Sequence, residues 1–307
     1  MSDVVLNQIT KLYNRGAVRA VDDVSFSVEQ GELFGLIGPD GAGKTSIFRI
    51  LTTLLLPDGG NASVIGLDVR SDYKKIRQAV GYMPGKFSLY QDLSVEENLN
   101  FFATVFNTRI KTHYDLIKDI YVQIEPFKNR LAGKLSGGMK QKLALCCALI
   151  HRPRVLLLDE PTTGVDSVSR KEFWDMLKRL KQEGITILVS TPYMDEATWC
   201  ERIALMQGGK ILSIDTPEII TKQFKDDLFA IKASAMSSLL KELRHLDEIK
   251  SAFAFGEYHH ITFSNTHKEK QQALLMHLQK KAFDDVELMP IEPSIEDCFI
   301  KLMDMHQ

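Results

Sequence analysis

At 307 residues the chain is long enough for two domains, or for one large domain with an appendage. Its 44% hydrophobic and 25% charged residues are those of an ordinary globular protein. The net charge of −2 offers no electrostatic case for nucleic acid or an anionic membrane surface. Four cysteines (Cys146, Cys147, Cys200, Cys298) fall into no CxxC or metal-ligand spacing, and the eight histidines into no HxxxH or HExxH pattern. Cys146 and Cys147, inside LALCCALI, read as buried small hydrophobes in a reducing cytosol. His259-His260 reads as an exposed pair on a strand. No window reaches the roughly 18 uninterrupted apolar residues of a membrane span, and MSDVVLNQITKLYNRG lacks the order of a secretory leader. The chain is expected in the cytoplasm, with any membrane role coming through a partner.

Residues 3 to 35 alternate polar and apolar through VVLNQITKLY and AVDDVSFSVEQGELFGLIG, with Gly16 and Gly31 as turns, and predict antiparallel strands. ELFGLIG runs into a glycine-rich turn, and TSIFRILTTLLL after it has helical length and period. Strand, glycine loop and helix in that order make half of an α/β unit. Residues 86 to 150 are mostly helical in pattern, with LSVEENLNFFATVF and YDLIKDIYVQIEPF as amphipathic segments. RVLLLDEP and ITILVST suit strands buried on both faces of a parallel sheet. SRKEFWDMLKRLKQEG between them reads as a helix stopped by Gly184, and RIALMQGGKILSID as a hairpin about Gly208-Gly209. After Pro217 the texture changes. Residues 226 to 307 follow the order β-α-β-β-α-β and then SIEDCFIKLMDM, which resembles a split βαβ sandwich and carries no phosphate loop or catalytic cluster. Two domains are expected, 1–220 and 221–307.

GPDGAGKT, residues 38 to 45, fits GxxxxGK[ST]. Its glycines let backbone N–H groups surround phosphate oxygens, and the helix starting near Lys44 adds its positive dipole end. In this pattern Lys44 reaches the β- and γ-phosphates and the Thr45 hydroxyl coordinates magnesium. RVLLLDEP supplies the second half. A strand ending in Asp159 projects a carboxylate toward the phosphate loop, where it holds Mg2+ through water, and Glu160 follows as general base. LSGGMKQ, residues 135 to 141, makes a second helix N-terminus suited to anions. Two phosphate-binding loops about 95 residues apart suggest that the second serves a neighbour's nucleotide.

On these motifs the sequence resembles an ATP-binding cassette (ABC) ATPase, whose signature LSGGQ matches Leu135, Ser136, Gly137, Gly138 and Met139 with one change. The resemblance covers residues 3 to about 220. It implies a P-loop NTPase fold: a mixed-sheet α/β core with an antiparallel β subdomain and a helical subdomain. It also implies cassettes packed head to tail, each signature loop closing on the other's γ-phosphate. ATP would be held by Gly38, Pro39, Asp40, Gly41, Ala42, Gly43, Lys44, Thr45 and Ser46, with Tyr13 stacking on adenine, Mg2+ at Thr45 and Asp159, and Asp166 in the loop that communicates between sites. Residues 221–307, ending in PSIEDCFIKLM, resemble the α+β extension of ABC-2 type exporter ATPases. The partners implied are an ABC-2 type membrane permease on the inner face of the bacterial membrane and a second cassette.

Two positions depart from the family pattern. VGYMPGKF has Gly85 where the family carries a glutamine that touches magnesium and the attacking water, and ITILVSTP has Pro192 where a histidine bonds the γ-phosphate. Glycine has no side chain, and proline has neither a side-chain donor nor an N–H. Phe87, Leu89 and Tyr90 fit either a surface for a permease coupling helix or core packing. The expectation is slow hydrolysis at this chain's own site and a heterodimer in which LSGGM completes a different cassette, with a homodimer relying on Glu160 as the alternative. A regulatory ATP clamp and a soluble ATPase acting on nucleic acid are the other classes. A single phosphate loop and no basic arm argue against the latter.

Overall fold

The computed structural model describes residues 1–264, 268–283 and 285–305. Two compact units divide the chain: Met1–Pro217 with the last residues from Leu302, and Glu218–Lys301. In chain order the first unit begins with β1 (Ser2–Tyr13) and β2 (Val18–Glu29), then β3 (Leu33–Ile37), α1 (Lys44–Leu51), β4 (Gly59–Val64) and β5 (Leu67–Asp68). It continues with α2 (Tyr73–Ala79), β6 (Val80–Met83), and the helices α3 (Val95–Val105), α4 (Tyr114–Tyr121) and α5 (Gly137–Leu149). β7 (Val155–Asp159), α6 (Ser167–Gln182), β8 (Thr186–Thr191), β9 (Arg202–Gln207) and β10 (Lys210–Asp215) complete it. Four antiparallel strands lie in the order β2-β1-β4-β5, and a six-stranded mixed sheet in the order β10-β9-β3-β8-β7-β6.

The strands β3, β7 and β8 are buried along their whole length, which is why they read as continuous apolar runs rather than alternations. One core runs from the antiparallel sheet (Val4, Ile9) through α1 (Ile47, Phe48) to the parallel strands (Leu36, Leu157, Leu188). Helix α1 is therefore held between two sheets, and the loop before it is fixed by both. Because β3, β6, β7 and β8 are mutually parallel, their carboxyl ends share one edge of the sheet. The register pairs Ile37 with Thr191, Asp159 with Ser190 and Met83 with Leu158. Loops leaving such an edge form the ligand crevice of an open α/β sheet.

Helix α3 starts on a capping box, in which the Ser94 hydroxyl accepts from the Glu97 N–H and the Glu97 carboxylate accepts from the Ser94 N–H. The helix expected over TSIFRILTTLLL is shorter than its pattern. It stops at Leu51, because the Thr52 hydroxyl donates back to the Phe48 carbonyl and Thr53 turns to φ 61°. Likewise YDLIKDIYVQIEPF is helical only over Tyr114–Tyr121, with a 3-10 turn at Glu125–Phe127.

The second unit contains β11 (Leu228–Lys232), α8 (Met236–Arg244), β12 (Ile249–Phe255), β13 (Tyr258–Phe263), α9 (Lys268–Lys280) and β14 (Glu287–Ile291), preceded by α7 (Pro217–Lys222) and followed by α10 (Ile295–Met305). Its antiparallel sheet has the order β12-β13-β11-β14 around a separate core of Phe229, Ile231, Leu239, Ile261 and Leu278. His259 and His260 are packed rather than exposed. His259 is buried with Nε2 bonded to the Met236 carbonyl at 2.8 Å, and His260 Nδ1 lies 2.7 Å from Asp297 Oδ1.

Candidate active site

The phosphate loop leaves β3 at Ile37 and closes into α1 at Lys44, so the unpaired N–H groups of the helix start face the loop. Two of its glycines are dictated by space. A Cβ on Gly38 would meet the Met206 carbonyl oxygen at 2.1 Å, and one on Gly43, at φ 107°, would meet that of Ala20 at the same distance. The β9–β10 turn holds the loop from behind, with the Gly209 N–H donating to the Ala42 carbonyl. Lys44 is buried, and its ammonium donates to the Gly38 and Pro39 carbonyls at 2.7 and 2.9 Å and pairs with Glu160 Oε1 at 3.1 Å. Gly41 to Ser46, Ala20 and Glu160 line a cleft of about 210 Å³. Pro39 is half-buried and Asp40 exposed at the loop's outer turn. Tyr13, at the end of β1, has its hydroxyl 3.2 Å from that of Ser46.

Asp159 ends β7 beneath this loop. Its Oδ1 accepts from the Ser190 hydroxyl at 2.7 Å and from the Thr45 hydroxyl at 3.3 Å. The Thr45 and Asp159 oxygens are adjacent hard donors, the kind that magnesium takes alongside water and phosphate. Glu160 turns sharply away at φ 51°, a conformation uncommon for a side-chain-bearing residue, and its N–H is held by the Ser190 carbonyl and hydroxyl at 3.1 and 3.0 Å. Ser190 went unread in the sequence. Its only signal there is register: it stands opposite Asp159 on the neighbouring parallel strand. Tyr82 on β6 is a second silent contributor. Burial first, then the Asp159 charge, pushes its hydroxyl up to about 12.

Gly85 lies at this same edge. A Cβ there would sit 3.0 Å from the Asp159 carbonyl oxygen and 3.7 Å from the Glu160 Cβ, so a side chain at 85 would start against the Glu160 turn. Pro192 follows Thr191, whose carbonyl accepts from the Gly38 N–H. Gly85 and Pro192 therefore border the Asp159–Glu160 turn and the phosphate loop respectively. Tyr193 stacks beneath the Arg170 guanidinium, 4.7 Å from its ring centre. Beyond Gly85, Leu89 is buried, Phe87 half-buried and Tyr90 exposed, edge-on to Phe101. A largely apolar groove of about 360 Å³ opens here, lined among others by Tyr82, Leu89, Phe102, Phe106 and His151.

The signature segment stands elsewhere. None of Leu135 to Met139 lines the phosphate-loop cleft. Leu135 is buried, while Ser136 is exposed and caps α5 by accepting from the Met139 N–H. Gly137 packs on the loop before α6 and Gly138 on the helix's first turn: Cβ atoms there would lie 3.4 Å from the Gly164 carbonyl oxygen and 3.0 Å from the Ser169 hydroxyl. Asp166 caps α6 by accepting from the Ser169 N–H, which holds its carboxyl below the usual range.

Residues 21–163 match the ABC transporter family profile. The chain is 38% identical over 311 residues to the probable multidrug ABC transporter ATP-binding protein YbhF of Escherichia coli K12, covering 99% of this chain and 53% of that one. It is 37% identical to the doxorubicin resistance ATP-binding protein DrrA of Mycobacterium tuberculosis, over 78% of this chain and 76% of that one. The chain belongs to the ATP-binding proteins of ABC transporters. A solved ATP-binding cassette, a dimer in a post-hydrolysis state with ADP and Pi, superposes on this ABC ATPase with a TM-score of 0.63 at 26% identity, over 69% of this chain and 98% of that one. The chain spans about half the length of the Escherichia coli relative. No helix among its described residues is long and apolar enough to cross a membrane.

Proposed function

We propose that this ABC ATPase binds ATP as one half of a cassette dimer and powers export through a separate ABC-2 type permease, docked on the inner face of the bacterial membrane. The convergence of Lys44, Thr45, Asp159 and Glu160 at one sheet edge carries the reading. Lys44 and the loop amides bind and orient the β- and γ-phosphates, and Glu160 polarises the attacking water. Thr45 and Asp159 would hold Mg2+, which supplies charge neutralisation on the phosphates when bound. Tyr13 stacks on adenine. The exposed Ser136 end of α5 serves the partner's nucleotide, and Asp166 beside it carries the state of one site to the other. The apolar groove beyond Gly85 receives the permease, and residues 221–307 form the extension typical of ABC-2 type ATPases. Names of the relatives, multidrug and doxorubicin resistance among them, support export.

We further infer that this chain's own site turns over slowly and that its partner is a different cassette. A side chain at 85 would begin 3.7 Å from the Glu160 Cβ, yet glycine stands there, and Pro192 offers no donor beside the loop. Losing two groups that act around the transition state lowers rate far more than ATP affinity. Restoring them as Gly85→Gln with Pro192→His is expected to raise turnover at least about tenfold while the ATP Kd changes by less than about threefold. Rapid hydrolysis by the unaltered chain alone, abolished by Lys44→Ala, would sink the asymmetric reading and leave a homodimer. Purification from membranes, with identification of the accompanying chains, tests the permease.

A further inference from the structure

Glu196 lies in the acidic stretch YMDEA, yet it is fully buried. Three segments meet at its carboxyl. Oε2 accepts from the Thr162 hydroxyl at 3.1 Å, and Thr162 is two residues beyond Glu160 and itself buried. Oε1 lies 3.9 Å from the Arg170 Nε on α6. Glu196 itself belongs to the 3-10 turn that follows Pro192. We propose that Glu196 is a positioning residue for hydrolysis, tying the Glu160 turn to the segment after Pro192 and to the helix that Asp166 begins.

A buried carboxyl that loses its water costs several kcal/mol unless its partners repay it. This one is only partly repaid: Glu196 Oε1, Arg170 Nε and Trp174 Nε1 are buried without a hydrogen-bond partner. Burial accordingly lifts the carboxyl above its usual range, which the Thr162 hydrogen bond only partly offsets. An arrangement that costly persists where it holds something else in place. What it holds is the turn at Glu160, whose φ of 51° requires support from its surroundings. Ser190 supports that turn on the Asp159 side, and the Thr162–Glu196 bond supports it on the other.

The α6 side of the cluster has a matching design. Asp166, Arg170 and Trp174 are spaced four apart and share one face of the helix. Arg170 reaches Asp195 at 3.2 Å and covers the Tyr193 ring, so the residues flanking Pro192 are fixed to the same face. A charge-assisted hydrogen bond is about 2.7–2.9 Å long, so an approach of roughly 1 Å between α6 and Glu196 would complete the pair. In this way a displacement of Asp166 reaches the Glu160 turn through Arg170, Glu196 and Thr162, none of which lines the phosphate-loop cleft.

The inference rests on the reading of Glu160 as general base, so its test uses a readout that needs no turnover. Amide exchange at Thr163 and Val165, whose N–H groups bond to the Glu160 and Thr162 carbonyls, reports the turn directly. In the full chain, Glu196→Leu and Thr162→Val are each expected to speed exchange there at least tenfold. Exchange in β3 and α1 and the ATP Kd stay within twofold. Glu196→Gln, which keeps an acceptor for Thr162, falls between the wild type and Glu196→Leu. Where turnover is measurable, kcat drops about tenfold with KM unchanged, and Glu196→Gln restores part of it. Unchanged exchange at Thr163 and Val165 in a folded, ATP-binding variant would overturn the proposal. So would exchange raised evenly across the cassette, which marks a merely structural carboxyl.

Discussion

Asp159 gathers three segments that are far apart in the chain: its own strand, Thr45 at the helix start and Ser190 on the adjacent strand. Two hydroxyl donors point its carboxyl in one direction, as a site for metal and phosphate would require. His151 is a titratable group with a different setting. Its ring stacks on Phe106 at 3.7 Å, and its Nε2 lies 3.2 Å from the Val80 carbonyl, at the wall of the apolar groove. Burial, the largest effect, depresses its pKa from 6.5 to about 4. The unfolded chain therefore binds more protons than the folded one between those values, and stability is lost as the pH falls through that window. The loss is on the order of 3 kcal/mol at pH 4. His151→Gln, which keeps a donor for Val80 and does not titrate, is expected to flatten this part of the profile. Urea midpoints for both proteins at pH 7 and pH 4.5 check it: a gap of equal size at both values would contradict the assignment.

At the scale of elements, burial decided what could be read from sequence. β7 and β8 were legible because a strand covered on both faces shows an unbroken apolar run. The phosphate loop was legible because its glycines answer to backbone geometry rather than to distant partners. Helix α1 was over-read because its leucines continue the apolar pattern past the point where Thr52 and Thr53 end the helix, and Leu54 and Leu56 stay exposed. Glu196 and Ser190 were illegible because their roles depend on strand and helix neighbours about 30 residues away in sequence. Helix α3 is a case where local chemistry sufficed: LSVEE contains both halves of its capping box. Its start also carries a tertiary load, since the Val95 N–H donates to the Arg130 carbonyl and the Ala132 N–H to that of Leu93. Ser94→Ala is expected to cost about 1 kcal/mol, read as a lowered denaturation midpoint with an unchanged m-value. No loss would mean that the bridge to residues 130–132 holds the helix start without its cap.

For the molecule as a whole, the decisive geometry is that the two glycine-bearing helix starts, at Lys44 and at Ser136, do not share a cleft. Lys44 opens α1 inside the phosphate-loop cleft, whereas Ser136 caps α5 outside it, against the loop that leads to Asp166. The proposed role of this helix start, with its exposed serine and two glycines backed by the loop that follows Glu160, is to meet a nucleotide brought by a second cassette. Ser136→Arg places a bulky cation there. The variant is expected to bind ATP with a Kd within twofold of the wild type, because no signature residue lines its own cleft. Losing the Ser136 cap costs about 1 kcal/mol, a fraction of the roughly 5–15 kcal/mol typical of a folded domain. ATP-driven association with the companion cassette should fall at least tenfold, together with turnover of the mixed pair. Gel filtration and ATPase assays on the mixture, with the companion taken from the membrane complex, give both numbers. Loss of ATP binding by Ser136→Arg alone would place the signature loop in its own site and remove the need for a partner. Loss of association only, with binding kept, is what two separate anion sites on one rigid scaffold require.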